Sequence, residues 1–264
     1  MERVLLYRRG GLGDSLLTFP IAEVLKKRGC EVHFVGNKDY LELAHLCGWA
    51  DKIYSSEFLS FLDKEAFDKR ILISFEGNVK PFPERKIPLP LYYLESLGLP
   101  PDYSLRLPLF EEEKRVESLA VLHPGSGSPK KNPPLELFER IEKYLSKLKY
   151  EVIYLAGEAE TPLLYQKKNL FYSLNIVDIA RFLKRATLYV GNDSGISHLA
   201  SYLGIKSFLF YGPTDEVIFS PLGEDFTLLY LNLSCRPCFP DICKERPCLD
   251  PERLFEKFKE TFEG

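Results

Sequence analysis

Residues 4–14 read Val4-Leu5-Leu6-Tyr7-Arg8-Arg9-Gly10-Gly11-Leu12-Gly13-Asp14. A short apolar run of strand type leads straight into a glycine-rich turn, and the turn opens an amphipathic stretch. The pattern predicts a strand at Val4–Tyr7, a helix over Asp14–Arg28 and a second strand at Glu31–Val35. That strand–turn–helix–strand order is the unit from which parallel α/β sheets are built. Outward from it the alternation continues, with a helical stretch at Tyr40–Cys47 and a strand at Arg70–Phe75. From Lys80 to Pro108 prolines dominate around one expected helix, Leu91–Leu97, and this stretch reads as a join. The alternation then restarts. Strands are expected at Leu119–His123, Val152–Ala156, Leu188–Val190, Ser207–Tyr211 and Thr227–Leu231. Helices are expected at Leu135–Leu148, Ile176–Arg185 and Gly195–Leu203, with a terminal helix from Pro251. Two Rossmann-like parallel α/β domains are therefore expected, 1–112 and 113–264, with a ligand cleft at the carboxyl ends of their strands. The terminal helix is expected to be able to cross back to the first domain.

Composition narrows the function. Hydrophobic residues make up 45% of the 264, enough for ordinary cores, and the net charge of −3 supplies no global field for nucleic acid. No apolar stretch approaches the roughly 20 residues of a membrane span. The expected place of work is the cytoplasm, with any membrane contact made by the surface.

Three strand-to-helix turns carry the candidate chemistry. Gly10-Gly11-Leu12-Gly13-Asp14 lets backbone approach a ligand and offers free N–H groups to an anion. Its spacing departs from the dinucleotide fingerprint, and Val35-Gly36-Asn37 stands where the ribose-binding acid of that motif belongs. Asp14 reads either as a helix cap or as a carboxylate able to take a proton from a hydroxyl. His123-Pro124-Gly125-Ser126-Gly127-Ser128-Pro129-Lys130-Lys131 combines small residues, hydroxyls and cations, as a diphosphate site requires; a flexible loop with solvated lysines has the same composition. Gly191-Asn192-Asp193-Ser194-Gly195-Ile196-Ser197-His198 repeats the arrangement, with Asp193 or Ser194 as the cap. Glu158 and Glu160, after another strand, are candidates for ribose hydroxyls.

Taken together, Leu12-Gly13-Asp14 with Thr18-Phe19-Pro20, the 123–133 segment with its lysine, Asp193-Ser194-Gly195 with His198, and Phe210–Asp215 resemble family 9 glycosyltransferases, the heptosyltransferases of lipopolysaccharide core synthesis. The resemblance spans nearly the whole chain, in order. It implies a GT-B fold and an inverting, metal-independent transfer from an ADP-sugar to a glycolipid or oligosaccharide acceptor. It further implies Asp14 as base, with Lys130 assisting departure of the diphosphate. Gly13, Ser126, Gly127, Lys130, Glu158 or Glu160, Asp193, Ser194, Gly195 and His198 become donor contacts. Two features depart from the family pattern. The segment Ser55–Pro90, on the acceptor side, is short, and Asn132 replaces the aromatic that usually precedes the proline.

Cys235, Cys238, Cys243 and Cys248 crowd fourteen residues. The first pair has zinc-ligand spacing and the second does not, so a structural zinc, reduced thiols and disulfides all remain open. Two other classes compete with the transferase: an NAD-dependent oxidoreductase, and a non-catalytic nucleotide-binding scaffold.

Overall fold

The computed structural model describes residues 1–62, 66–157, 159–238 and 243–264. They gather into two compact units, residues 1–109 with 217–220, and residues 110–216 with 221–264.

In the first unit a four-stranded parallel sheet runs in the order β3-β2-β1-β4. Its strands are β1 (Arg3–Arg8), β2 (Glu31–Gly36), β3 (Lys52–Ser55) and β4 (Lys69–Ile73). Val4 lies opposite Val32 on one side and Lys69 on the other. The helix expected over Asp14–Arg28 is two helices, α1 (Leu12–Leu16) and α2 (Phe19–Lys27). Pro20, at the second position of α2, has no N–H to offer the carbonyl four residues back, so the first helix ends there. The Thr18 hydroxyl instead donates to the Asp14 carbonyl at 2.8 Å. Phe19, at the restart, packs edge-on to Phe34 and Trp49 and anchors α2 in the core. Helices α3 (Lys38–Leu46) and α4 (Leu89–Ser96) complete the unit. Residues 217–220 return to it: the Leu89 amide donates to the Ile218 carbonyl at 3.1 Å, and Phe219 meets Phe82.

The second unit has six parallel strands in the order β10-β9-β8-β5-β6-β7. They are β5 (Leu119–His123), β6 (Glu151–Ala156), β7 (Leu170–Tyr172), β8 (Leu188–Asn192), β9 (Lys206–Phe210) and β10 (Phe226–Leu229). The sequence pattern misses β3 and β7, which are four and three residues long and only partly buried. Edge strands of this kind lack the continuous apolar run that marks buried parallel strands. Around the sheet stand α5 (Leu135–Lys147), α6 (Leu163–Gln166), α7 (Ile176–Lys184), α8 (Gly195–Tyr202) and α9 (Pro251–Glu263). Ala120, Leu122, Val190, Phe208 and Phe210 form one core with Leu137, Phe138 and Ile141 of α5 and Leu254 and Phe258 of α9. The terminal helix thus packs on its own unit. Alternation along β8 sends Tyr189 to the opposite face, where its hydroxyl meets Ser197 of α8 at 3.0 Å.

Helix α5 ends with Lys149 in the left-handed region, φ 71°, where α3 has Gly48 at φ 72°. A side chain there costs about 1 kcal/mol. Lys149→Gly is expected to stabilise the unit by roughly 0.5–1 kcal/mol, less than the full strain because glycine also loosens the unfolded chain. Urea unfolding measures it; a lower midpoint would contradict the strain.

Candidate functional site

Strand order reverses between β5 and β8, since the chain passes from β5 to β6 on one side and reaches β8 on the other. Turns leaving the carboxyl ends of such strands diverge and leave a crevice for a ligand. Here they are residues 124–134 and 193–194, and side chains clasp them together. Asp193 is buried; one of its carboxylate oxygens accepts from the Lys131 ammonium at 3.0 Å and the Thr214 hydroxyl at 2.7 Å. Asn132 lies 2.7 Å from the Asn192 amide and 2.5 Å from the Ser126 hydroxyl. Ser194 caps α8, its Oγ accepting from the Ser197 amide at 3.2 Å. The two residues after it, Gly195 and Ile196, are partly exposed, so first-turn N–H groups of α8 stand open to an anion.

Behind the turns runs a buried polar chain. The imidazole of His123 lies 3.4 Å from Ser194 Oγ through Nδ1 and 3.6 Å from a Glu160 oxygen through Nε2. The other Glu160 oxygen accepts from the Gly157 amide at 2.9 Å. Burial pushes the Glu160 carboxyl up, but His123 and the Gly157 amide outweigh it and hold the group below the ordinary carboxylate range. A carboxyl lowered on folding stabilises the native state above its unfolded value, near 4.3, and loses that contribution as pH falls through the lowered folded value. Glu160→Gln is therefore expected to flatten the melting profile on the acid side. An unchanged slope between pH 5 and 3 would contradict the assignment.

Glycine is needed where this chain passes under the turn. A Cβ on Gly125 would stand 1.5 Å from a Glu160 oxygen and 2.2 Å from its carboxyl carbon. Gly125→Ala must dislodge Glu160 from His123, and a loss of about 1–3 kcal/mol in thermal unfolding is expected. A variant melting within a degree of the parent would contradict it.

The second unit thus brings Ser126, Glu160, Asp193 and Ser194 into one network, with His198 buried one turn along α8. Gly127 is exposed, with open space where a side chain would stand. Lys130 is exposed, and its neighbour Lys131 is the lysine that reaches Asp193. Glu158 lies outside the described residues. Sequence reasoning passed over His123, Lys131, Asn132 and Thr214 as contributors. All but Thr214 lie within or beside the quoted loop, but which of them point inward follows from the turn's path and not from residue type.

In the first unit the reversal falls between β1 and β4, and the turn after β1 carries Asp14. Asp14 sits at the third position of α1, and one oxygen reaches back to accept from the Gly11 amide at 3.0 Å. The other oxygen is paired with the buried guanidinium of Arg8. Gly10 lies directly beneath, where a Cβ would stand 2.6 Å from the Asp14 side chain. The carboxylate is about one-third exposed, so the capping bond and access to a ligand coexist. Beside this turn, at the carboxyl ends of β1, β2 and β3, lies a polar cavity of about 290 Å³ lined by Arg9, Asn37, Lys38, Ser55 and Ser56 among others. Gly13 lies inside α1, where its carbonyl accepts from the Leu17 amide.

Cys235, Cys238, Cys243 and Cys248 are free thiols. Burial and the neighbouring sulfurs push Cys238 and Cys248 up. Among the described residues no group of three or more His, Cys, Asp or Glu side chains is gathered tightly enough to hold a metal ion. The structural zinc that the spacing left open thus finds no support among the described residues. The segment touches the turn after β9 through Arg236, which donates to the carbonyls of Gly212 and Thr214.

The model of glycosyltransferase family 9 (heptosyltransferase) matches residues 97–249. A lipooligosaccharide heptosyltransferase 2 of Campylobacter jejuni is 28% identical over 237 residues, covering 76% of this chain and 74% of the relative. Among solved structures, a family 9 glycosyltransferase of Veillonella parvula superposes with a TM-score of 0.77 at 17% identity, covering 100% of this chain and 98% of that one. The E. coli ADP-heptose LPS heptosyltransferase II gives 0.75 at 15% identity over the whole of both chains. At those identities the superpositions show a shared GT-B fold. With a family match over more than half its length, the chain belongs to glycosyltransferase family 9, the heptosyltransferases, and is a glycosyltransferase.

Proposed function

We propose that this enzyme moves a heptosyl group from ADP-heptose to a hydroxyl of a lipopolysaccharide-core-type acceptor, with inversion at the anomeric carbon and without a metal ion. The observation that carries the reading is the clasp of Lys131 to Asp193 and Asn132 to Asn192, which gathers two turns beside the open N-terminus of α8. Lys130, Ser126 and Gly127 sit on the first of these turns, and Asp193, Ser194 and Gly195 on the second, with His198 one turn into α8. In this reading residues 113–264 hold the donor, and its diphosphate lies against N–H groups and lysine charge. As the bond from the anomeric carbon to the phosphate oxygen breaks, that positive environment stabilises the departing ADP. Asp14, in the acceptor-side residues 1–112, takes the proton of the attacking hydroxyl as the new carbon–oxygen bond forms. Attack opposite the leaving group inverts the anomeric centre. The glycolipid is met at the cytoplasmic face of a membrane; no helix among the described residues is long and apolar enough to cross one.

Calorimetry with ADP, UDP, GDP and NAD, with EDTA throughout, tests the donor side. Selective ADP binding is expected. Preference for UDP or GDP would keep the transferase and discard heptose, while NAD alone or no binding would overturn the reading. Turnover of ADP-heptose on heptose-deficient lipooligosaccharide should be unchanged by EDTA; loss restored by a divalent cation would overturn metal independence.

A further inference from the structure

We infer that Arg8 is a positioning residue for the transfer, fixing the Asp14 carboxylate in the orientation from which it takes the acceptor proton; this rests on Asp14 being the base. Arg8 is the last residue of β1, two positions beyond buried Leu6, so its side chain enters the same layer as the core. It is 7% exposed. A charge taken that far from water costs several kcal/mol unless it is paired, so a β1 that needed only packing would carry an aliphatic residue there. The guanidinium is instead spent on one oxygen of Asp14, six residues on, while the Gly11 amide holds the other oxygen. Together with the Gly10 backbone beneath, these contacts fix both torsions of a side chain that is otherwise one-third open to solvent. Each carboxylate oxygen keeps a further lone pair, so an incoming hydroxyl can be met without breaking either bond.

The surroundings fit a rigid support. The charges of this pair reach buried Tyr93: burial raises its phenol above the ordinary value, the Arg8 charge opposes that rise and Asp14 adds to it, and the hydroxyl donates to the Pro81 carbonyl at 2.8 Å. Arg8 Nε is buried with no hydrogen-bond partner among the described residues, so the side chain does not satisfy all its donors to hold this pose. An orphaned donor of that kind is disfavoured on stability grounds alone, which points to retention for what the other end of the guanidinium does.

The test compares Arg8→Met, Arg8→Gln and Arg8→Lys with Asp14→Asn. Release of ADP from ADP-heptose is measured on heptose-deficient lipooligosaccharide, with ADP affinity by calorimetry and melting temperature alongside. A misplacement of about 1 Å costs on the order of 10²-fold, so Arg8→Met and Arg8→Gln should lose roughly 10- to 100-fold in kcat. ADP affinity should stay within about twofold, because a positioning role acts on the step and not on the donor. Arg8→Lys, which keeps the charge, should recover most of the loss. Wild-type kcat in either uncharged variant, a fall in ADP affinity that matches the fall in kcat, or a lysine variant no better than methionine would overturn the proposal. Should Arg8→Met not fold, Arg8→Gln is read by the same criteria. Full turnover in Asp14→Asn would instead sink Asp14 as base, a result separable from an intact Arg8 variant beside a crippled Asp14→Asn.

Discussion

Asp14→Ala is expected to lose turnover by roughly 10²–10⁴-fold while ADP binds almost as before. The size follows from the role: a positioned base contributes about that factor, and it acts when the proton moves and not when the donor binds. Geometry gives the carboxylate two duties, and they predict different things. As the third residue of α1 it accepts the Gly11 amide, and loss of such a bond costs about 1 kcal/mol of stability and no chemistry. As the partner of Arg8 it answers a buried charge, so the alanine variant should also melt lower. Asp14→Asn keeps an acceptor for Gly11 and the side-chain volume but turns an amide NH2 towards Arg8, so it returns the cap's share of the stability without the ion pair and separates the cap from the base. If asparagine recovers part of the melting temperature but none of the rate, Asp14 is a base. If it restores both, the residue is a cap, and the proton of the acceptor hydroxyl must leave by another route. Initial rates of ADP release, with ADP affinity measured in parallel, decide between them.

Much of this was legible in the sequence because parallel α/β architecture writes itself as long buried runs. β5 and β8 are buried end to end, and their turns carry the small and hydroxyl residues that ligand-binding turns need. The break between α1 and α2 was less visible because the apolar spacing continues through it; only Pro20 marks it, and a proline near a helix start is ordinary. The edge strands β3 and β7 were missed because strands so short and so partly buried lack a distinctive period. Within the site, residue type and order located the turns, but direction decided the partners. Ser126 turns inward to Asn132, and Glu160 turns inward to His123 and Gly157. Glu160, read from sequence with Glu158 as a candidate ribose contact, turns one oxygen to the Gly157 amide of its own loop and the other to His123 at the end of β5. Asn132, which departs from the family's aromatic, is a hinge pin between two turns. Nothing in a string of letters distinguishes Lys130 from Lys131, because which of two adjacent side chains folds back depends on the 3₁₀ turn at Pro129–Lys131.

That pair yields the second large effect. Lys131→Ala removes the cation from Asp193, a buried carboxylate left with the Thr214 hydroxyl as its remaining described side-chain partner. The lysine is about one-fifth exposed, so the destabilisation expected is on the order of 2 kcal/mol, below the figure for a fully buried pair. ADP affinity should fall with it by about 10- to 100-fold, because the clasp sets the distance between the two turns that hold the donor in the proposed reading and a charge-assisted bond is worth about 1.5–3 kcal/mol. Lys130→Ala acts differently. Lys130 stands exposed on the same loop, so its removal should lower the melting temperature by less than the loss of Lys131 and weaken ADP by less. That weakening should shrink at high salt, as screened surface charge does. AMP discriminates further. If Lys130 answers the second phosphate, its loss costs ADP and spares AMP; if Lys131 sets the loop, its loss costs both. Titration of each variant with ADP and AMP at two salt concentrations reads all of this. Equal, salt-sensitive losses for the two lysines with no change in melting would mean that both merely supply charge and that the Asp193 contact does not hold the site together. No change in ADP affinity for either would move the diphosphate away from this loop altogether.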